Sequence, residues 1–440
     1  MSFRIILFSF LLLLINGCKK SNDAVNKVPS LVTSSTTSLS STSLQSGGEV
    51  SSDGGSPITA RGVCWSTTTN PTVSGSKTVD GTGTGVFTST ITGLLPNTTY
   101  YIRAYATNAV GTAYGNQITL NTPDTKVYVV GYEEISTPSI YSLAKLWNNG
   151  QTINLTSSPN YAEAFSVFVS GSDVYVAGYE SNGNNNVAKL WKNGAQTLIT
   201  NGTRDAMLSS VFVSGSDVYV TGYESNGNYD VAKLWKNGVA TVLAGGTNSD
   251  AYGYGVFVSG QDVYVVISEE PSSGPRDVVK LWKNGQLTTI SNTNTDAYAY
   301  SITVSGNDVY IAGSEAVGGG FYAPKIWKNG QGTFLSSTTR NYDGEAYSVF
   351  VSGTDVYAVG YESNGNYDVA KLWKNGAMTT LSSAPTRTLA NSIQVIGSDV
   401  YIAGTEWVNN KSVSVYWKNN VITRLSNGVN YAGAYSIFAK

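Results

Sequence analysis

The chain has 440 residues, a formal net charge of −2 and only 13% charged residues, which argues against the basic face that a nucleic-acid-binding protein needs. It contains no histidine, which excludes Ser-His-Asp and Cys-His nucleophilic machinery and histidine-ligated zinc or iron. The sequence carries no phosphate-binding loop and no EF-hand loop, so it predicts no cofactor and no metal site.

The first residues have the pattern of an export signal. Arg4 precedes an apolar run, Ile5–Ile15, that is too short to span a bilayer and suits a secretory signal peptide. The run ends in Ile15-Asn16-Gly17-Cys18, which resembles the lipobox of bacterial lipoproteins. The resemblance implies that residues 1–17 are a lipoprotein signal peptide and that Cys18 carries lipid. It further implies anchoring to the bacterial outer membrane at the cell surface; the alternative is an ordinary signal peptide with an incidental cysteine.

A polar tether, residues 18–27, leads into residues 28–123, which are rich in Thr and Ser and read as short strands at the spacing of a β-sandwich. The segment Leu94–Ala106 is similar to the tyrosine corner and following strand of fibronectin type III domains, and the resemblance implies that Gly62–Ser66 is the strand with the buried tryptophan. This resemblance implies a spacer or adhesive module. Cys64 is left without an intramolecular partner once Cys18 is lipidated, so we expect a small buried residue there.

Residues 126–440 form a repeat that returns seven times. Its marker is a tryptophan that recurs about every 45 residues, a period typical of propeller blades and other arrays. Each unit has four short runs rich in Val, Tyr, Ile and Leu, named A to D; in one unit they are Ser166–Val169, Asp173–Tyr179, Val187–Trp191 and Ala195–Ile199. The recurring tryptophans are Trp147, Trp191, Trp235, Trp282, Trp327, Trp373 and Trp417.

The turns and the two ends of the array predict a closed ring. Lys-Asn-Gly between C and D supplies the positive φ angles of a tight hairpin, and Ser-Gly-x-Asp forms the turn between A and B. The array begins in a B run, Lys126–Tyr132, and finishes on an A run, Ser436–Lys440. We therefore predict an all-β protein in which a fibronectin type III-like sandwich precedes a seven-bladed β-propeller closed by the C-terminal strand. The units also resemble the short-repeat bacterial propellers with "DVYVAGY" motifs.

A glutamate closes run B in every unit. One hypothesis is a ring of carboxylates that binds a cation or a basic ligand. The other is an ion pair with the lysine that lies two residues before each tryptophan, although Val415 replaces that lysine in the last unit. The glutamates are Glu133, Glu180, Glu224, Glu269, Glu315, Glu362 and Glu406.

A second position, immediately before run A, is aromatic in five of seven units. These side chains lie on the face of the variable B–C and D–A loops, where recognition is usual. They either stack on a sugar or grip a peptide at the mouth of the propeller, or pack between adjacent blades. The residues are Phe165, Ser209, Tyr254, Tyr300, Tyr347, Asn391 and Tyr435.

Three functions remain open from sequence. We expect a monomeric, non-catalytic binding or adhesion protein that recognises a carbohydrate or a protein on the variable face. The alternatives are a carboxylate-based glycan hydrolase or lyase and a purely structural surface protein. The acidic residues reveal no pair that breaks the repeat symmetry, which argues against the enzyme.

Overall fold

The computed structural model describes residues 25–136, 140–157, 159–272, 276–339, 341–382 and 385–440. The predicted signal peptide and Cys18 lie outside these residues. The chain divides between Pro123 and Asp124 into two compact units. Within the described part of the chain, no helix has the length and apolar character needed to cross a membrane.

The first unit is a sandwich of two antiparallel sheets. One sheet has the order β1-β3-β2 with β6 added to β3, and the other has the order β5-β4-β7-β8 with β9 added to β7. Leu44 and Ile91 from the first sheet pack against Val63 and Ile102 from the second, which makes one core. The strands are β1 (Ser30–Thr33), β2 (Thr37–Ser40), β3 (Ser43–Ser52), β4 (Ala60–Ser66), β5 (Ser76–Lys77), β6 (Gly85–Ile91), β7 (Thr99–Thr107), β8 (Thr112–Tyr114) and β9 (Ile118–Asn121).

Three residues singled out in this unit have defined surroundings. The Tyr100 hydroxyl accepts a hydrogen bond from the Leu95 backbone amide at 3.0 Å, which ties the turn before β7 to that strand. Cys64 is fully buried, as predicted, and burial raises the pKa of its thiol to about 11. The expectation of a buried tryptophan at Trp65 was wrong, because this side chain is only partly buried and packs against the core from outside.

The second unit is a β-propeller, as predicted: the described residues form seven four-stranded antiparallel sheets, or blades. Blade one contains β10 (Val127–Ile135), β11 (Tyr141–Asn148) and β12 (Gln151–Asn154). Blade two contains β13 (Ala162–Ser170), β14 (Asp173–Ser181), β15 (Asn186–Lys192) and β16 (Ala195–Leu198). Blade three contains β17 (Ala206–Ser214), β18 (Asp217–Ser225), β19 (Asp230–Lys236) and β20 (Val239–Gly245). Blade four contains β21 (Ser249–Ser259), β22 (Asp262–Pro271), β23 (Val278–Lys283) and β24 (Gln286–Thr289).

The remaining blades repeat this order, and the last strand returns to the first blade. Blade five contains β25 (Ala297–Ser305), β26 (Asp308–Gly318), β27 (Phe321–Lys328) and β28 (Gln331–Phe334). Blade six contains β29 (Gly344–Ser352), β30 (Asp355–Ser363), β31 (Asp368–Lys374) and β32 (Ala377–Thr380). Blade seven contains β33 (Thr388–Ile396), β34 (Asp399–Val408), β35 (Lys411–Lys418) and β36 (Val421–Arg424). The final strand, β37 (Ala432–Ala439), pairs antiparallel with β10 and is strand A of blade one.

The C–D turns have the predicted chemistry. Asn193 and Gly194 both have positive φ angles, 51° and 81°, and the same holds at the equivalent turns. The aspartate that opens strand B also contacts the C–D turn through its side chain. Asp173 accepts a hydrogen bond from Asn193 Nδ2 at 2.8 Å and pairs with Lys192 Nζ at 2.7 Å, so it holds the C–D turn against strand B.

The core lies between blades. Six of the repeated tryptophans are fully buried, whereas Trp282 is only partly buried. Near the axis, a serine of strand A accepts a hydrogen bond of 3.1 to 3.4 Å from the backbone amide of strand A in the next blade, including across the seam from Val167 to Ser436. The serines are Ser166, Ser210, Ser301, Ser348, Ser392 and Ser436.

Candidate functional site

Strand A begins earlier than the sequence predicted, and this moves the aromatic position. In blade two the strand starts at Ala162, and its pairing with strand B shifts register between Ala164 and Ser166. Phe165 is therefore the extra residue of a β-bulge inside the strand, and does not precede it. A bulge re-aims a side chain, and here it turns one residue of each blade toward the axis. The same shift occurs at Ser209, Tyr254, Tyr300, Tyr347, Asn391 and Tyr435.

The glycine of strand B makes room for the bulge. Gly178 pairs with Ala164, and a Cβ atom at Gly178 would collide with the Glu163 carbonyl oxygen. Equivalent glycines, Gly222 and Gly360, face the same obstruction. In blade four the glycine lies on the other strand, where Gly253 pairs with Ile267. One side of each bulge thus lacks a side chain.

The bulge residues line a cavity of about 510 Å³ at the axis. Its volume is in the range of small-molecule sites, which are concave and mostly apolar with a few polar groups. It opens on the face of the B–C and D–A loops, because the start of strand A and the end of strand B both lie there. Its lining residues are Tyr132, Phe165, Met207, Ser209, Tyr254, Tyr300, Tyr347, Arg387, Leu389, Asn391, Thr405, Trp407, Gly433 and Tyr435.

The five aromatic bulge residues also touch one another across blades. The rings of Tyr435 and Phe165 are 5.1 Å apart, those of Tyr254 and Tyr300 are 5.6 Å apart, and those of Tyr300 and Tyr347 are 5.1 Å apart. These centroid distances are those of favourable aromatic pairs. The two sequence hypotheses therefore do not exclude each other, since the same rings pack between blades and face the cavity.

Two glutamates that the sequence analysis did not single out lie behind this aromatic lining. Glu163 accepts hydrogen bonds from Tyr435 and from Tyr179, whose hydroxyl is 3.4 Å from Glu163 Oε1. Glu345 accepts hydrogen bonds from Tyr347 and Tyr300. Burial raises the pKa of both carboxyl groups, although the tyrosine hydrogen bonds act in the opposite direction.

Burial and the nearby carboxylates also raise the pKa of the tyrosine hydroxyl groups in this lining. Burial, followed by the charge of Glu345, raises the pKa of Tyr300 and Tyr347 well above the usual value. Burial raises the pKa of Tyr254 to about 12, with smaller contributions from Glu270 and Glu345. These hydroxyl groups are therefore protonated at neutral pH and act as neutral hydrogen-bonding groups.

Blade seven contributes the most distinctive part of the rim. The Arg387 guanidinium lies 4.5 Å from the Trp407 ring centre and its Nε is 2.8 Å from Asp368 Oδ2. Trp407 lies where the other blades carry Glu, Ser or Ala, and Arg387 lies where they carry Asp or Tyr. The arginine thus holds an indole ring at the mouth of the cavity.

The seven glutamates at the end of strand B are placed differently from the aromatic residues. None of them is among the described residues that line the cavity. Glu133 pairs with Lys145 at 2.7 Å and Glu315 with Lys325 at 2.6 Å, and Glu180, Glu224 and Glu269 pair with the equivalent lysines. Glu362 is buried at the same position in blade six. This arrangement favours the ion-pair hypothesis over a carboxylate ring that binds a ligand.

Blade seven lacks the strand C lysine, and an arginine on strand D pairs with its glutamate instead. Val415 pairs across the ladder with Arg424 of strand D, and Arg424 Nη2 reaches Glu406 Oε2 at 2.8 Å. The retained glutamate therefore has a cation from the neighbouring strand. Among the described residues, no three His, Cys, Asp or Glu side chains are grouped so as to hold a metal ion.

No protein-family model matches the chain, and no curated protein matches it. Solved structures show distant similarity. TolB from Acinetobacter baumannii is 11% identical with a TM-score of 0.39, and the match covers 64% of this chain and 76% of TolB. Kuenenia stuttgartiensis hydrazine synthase is 9% identical with a TM-score of 0.41, over 72% of this chain and 47% of that one. A puromycin-hydrolysing peptidase of Mycobacterium tuberculosis is 9% identical with a TM-score of 0.38, over 85% and 57%.

Proposed function

We propose that the axial cavity is a carbohydrate-binding site and that the protein is a non-catalytic recognition protein of the bacterial cell envelope. The observation that carries this proposal is the lining of the cavity by Phe165, Tyr254, Tyr300, Tyr347 and Tyr435. Flat aromatic faces stack on the apolar faces of sugar rings, and the polar groups at the rim hydrogen-bond to hydroxyl groups.

The location of the protein belongs to the same proposal. Cys18 carries lipid and holds the chain at the outer membrane, and the first unit is a fibronectin type III-like spacer between the anchor and the propeller. Two features support the spacer assignment: the two-sheet sandwich and the hydrogen bond from the Leu95 amide to the Tyr100 hydroxyl. A monomer with a variable loop face suits binding of a glycan at the cell envelope.

The test is binding to a glycan array followed by calorimetric titration of the sugars retained. In Tyr254→Ser, one aromatic ring is removed and the residue becomes the one that blade three carries at Ser209, so the fold should tolerate it. We expect affinity to fall at least about tenfold, or about 1.4 kcal/mol. The matched control is Val239→Ser, on an exposed outer strand, which should bind as the wild type does. Absence of any glycan binding by the wild type would reject the proposal.

A second candidate, a carboxylate-based glycan hydrolase, is favoured by one observation. Glu163 and Glu345 interrupt the repeat and have raised pKa values, which suits a general acid. Incubation of bound oligosaccharides with the wild type and with Glu163→Gln and Glu345→Gln separates the two functions. New reducing ends that disappear in either variant would favour the enzyme, and unchanged oligosaccharide would favour the binding protein.

A further inference from the structure

The aromatic residues at the axis form two separate groups, and the first spans blades one and two. Tyr132 stacks on Tyr435 at 5.6 Å, Tyr435 contacts Phe165 at 5.1 Å, and Phe165 stacks on Tyr179 at 5.9 Å. This continuous set of rings is called wall one. Glu163 lies behind it and accepts hydrogen bonds from Tyr179 and Tyr435.

The second group has its bulge residues in blades four to six, and Tyr252 connects it to Tyr223 of blade three through ring contacts of 6.3 and 5.3 Å. Tyr254, Tyr300, Tyr347 and Tyr361 follow one another with ring centres 5.6, 5.1 and 5.7 Å apart. This set is called wall two. Glu345 lies behind it and accepts hydrogen bonds from Tyr347 and Tyr300.

The two walls face each other across the axis. In a closed ring of seven blades, the midpoint between blades one and two lies directly opposite blade five, which is the middle of wall two. The two remaining blades, three and seven, have no aromatic ring at the bulge position. Of the residues that line the cavity, blade three contributes Ser209 and Met207, and blade seven contributes Asn391 and Leu389 together with Arg387 and Trp407 at the rim. The cavity is therefore a slot with aromatic sides and with non-aromatic bulge residues at its two ends, and Trp407 lies at the rim of the blade-seven end.

The charge around the slot disfavours anions. Glu163 and Glu345 lie behind the two walls. Glu270 and Glu345 are also close enough to Tyr254 to raise the pKa of its hydroxyl group, although burial has the larger effect. The tyrosines that donate hydrogen bonds to Glu163 and Glu345 cannot donate the same hydroxyl proton to a ligand. Their oxygen atoms therefore present lone pairs to other groups, and such acceptors match the hydroxyl donors of a neutral sugar. Arg387, the cation at the rim, is already paired with Asp368.

We propose that the slot holds a neutral glycan chain that enters over blade seven and leaves over blade three, with one sugar ring between the two aromatic walls. The inference rests on carbohydrate binding at this cavity and adds the ligand's charge and its path. A chain can pass because Ser209 and Asn391 leave the bulge position at each end of the slot without an aromatic ring. A ligand that only filled the cavity as a single ring would not need these two openings.

The experiment closes one end at a time. Asn391→Tyr and Ser209→Tyr each insert the residue that the chain itself uses at this position in blades one, four, five and six, so the repeat geometry accommodates it. Ser209→Asn, which exchanges one gap residue for the other, is the matched control and keeps the end open. Thermal unfolding of each variant verifies that the propeller is intact.

Titrations use cellotetraose, mannotetraose and xylotetraose, the corresponding disaccharides, and tetragalacturonate as an anionic chain. We expect each tyrosine variant to weaken tetrasaccharide binding at least about tenfold and to affect the disaccharide less, with Ser209→Asn unchanged. Tetragalacturonate should bind more weakly than the neutral chains.

Two results would overturn the slot while leaving carbohydrate binding intact. The first is undiminished tetrasaccharide affinity in both folded tyrosine variants. The second is preferential binding of tetragalacturonate. By contrast, a wild type that binds no array glycan removes the proposed function itself, so the two failures are distinguishable. Should Asn391→Tyr fail to fold, Ser209→Tyr still decides the question at the other end of the slot.

Discussion

The cation that pairs with the glutamate at the end of strand B differs between blades. Glu406 has 7% of its surface exposed and is paired with Arg424, whereas five other blades use a lysine on strand C. A buried carboxylate that loses its partner retains the cost of desolvation. The identity of the cation matters less than its presence near the carboxylate.

A charge-swap experiment tests this directly. Arg424→Thr should lower the free energy of unfolding by about 1 to 2 kcal/mol, less than for a fully buried pair because the arginine side chain is 55% exposed. Adding Val415→Lys recreates the arrangement of blade six, where Lys371 lies across from Thr380. The double variant should regain most of the loss in urea denaturation. No recovery would mean that Arg424 acts by packing instead of by charge.

The buried glutamates behind the aromatic walls give the protein a defined pH response. Because the folded-state pKa of Glu163 and Glu345 lies above the unfolded value, the folded state binds protons more tightly, and stability is lost as pH rises through that window. The groups that face each of these carboxylates are the tyrosines that donate hydrogen bonds to it. The charges of Asp343 and Asp368 further raise the pKa of Glu345.

The double variant Glu163→Gln, Glu345→Gln should therefore become more stable relative to the wild type as pH rises from about 4 to 7. The measurement is urea denaturation of both proteins at a series of pH values. The single variants serve as controls, since each should show part of the effect. A relative stability that moves in the opposite direction would show that the tyrosine hydrogen bonds outweigh burial.

At the scale of strands, the closure of the ring depends on β37. It pairs with β10 along Val127 to Glu133, and Lys440 and Lys126 exchange two backbone hydrogen bonds of 2.8 and 3.0 Å at its end. Without this strand, blade one has three strands and an open edge, and Ser392 and Val167 lose their hydrogen-bond partners on it.

A chain truncated after Tyr431 should lose the cooperative unfolding transition of the propeller in calorimetry. The matched control removes Lys440 alone, which costs the two terminal hydrogen bonds and should lower the melting temperature by only a few degrees. If the chain truncated after Tyr431 melted with the same cooperativity as the intact chain, β37 would not be what closes the ring.

The repeat made the blades predictable, because their period, their Asn-Gly turns and their unpaired ends are properties of the sequence alone. The bulge was not predictable, because it shifts the alternation of strand A by one residue. Ala162 to Ala164 consequently looked like loop, and Glu163 and Glu345 were overlooked with it. The one available signal was that this position carries Glu only in blades two and six. The role of Arg424 was not predicted, because it lies on strand D and its partner Glu406 lies on strand B, and the sequence spacing of the two residues does not indicate a contact.

At the scale of the whole molecule, one face of the propeller repeats the same residues in successive blades, and the residues of the other face differ from blade to blade. The C–D turns repeat an Asp, Lys and Asn cluster in blade after blade, as at Asp173, Lys192 and Asn193. The opposite face contains two aromatic walls, two gaps and the Arg387–Trp407 rim. A scaffold that keeps one side constant and varies the other is suited to recognition on the variable side.

The most direct measurement of where a ligand binds uses the indole at that rim. Trp407 is partly exposed beside the cavity, whereas most of the repeat tryptophans are fully buried. Titration of the wild type with a glycan retained on the array should change the tryptophan fluorescence in a saturable way. Trp407→Phe should abolish most of that change while calorimetry still detects binding. A fluorescence change that persists unaltered in Trp407→Phe would place the ligand elsewhere and contradict the axial site.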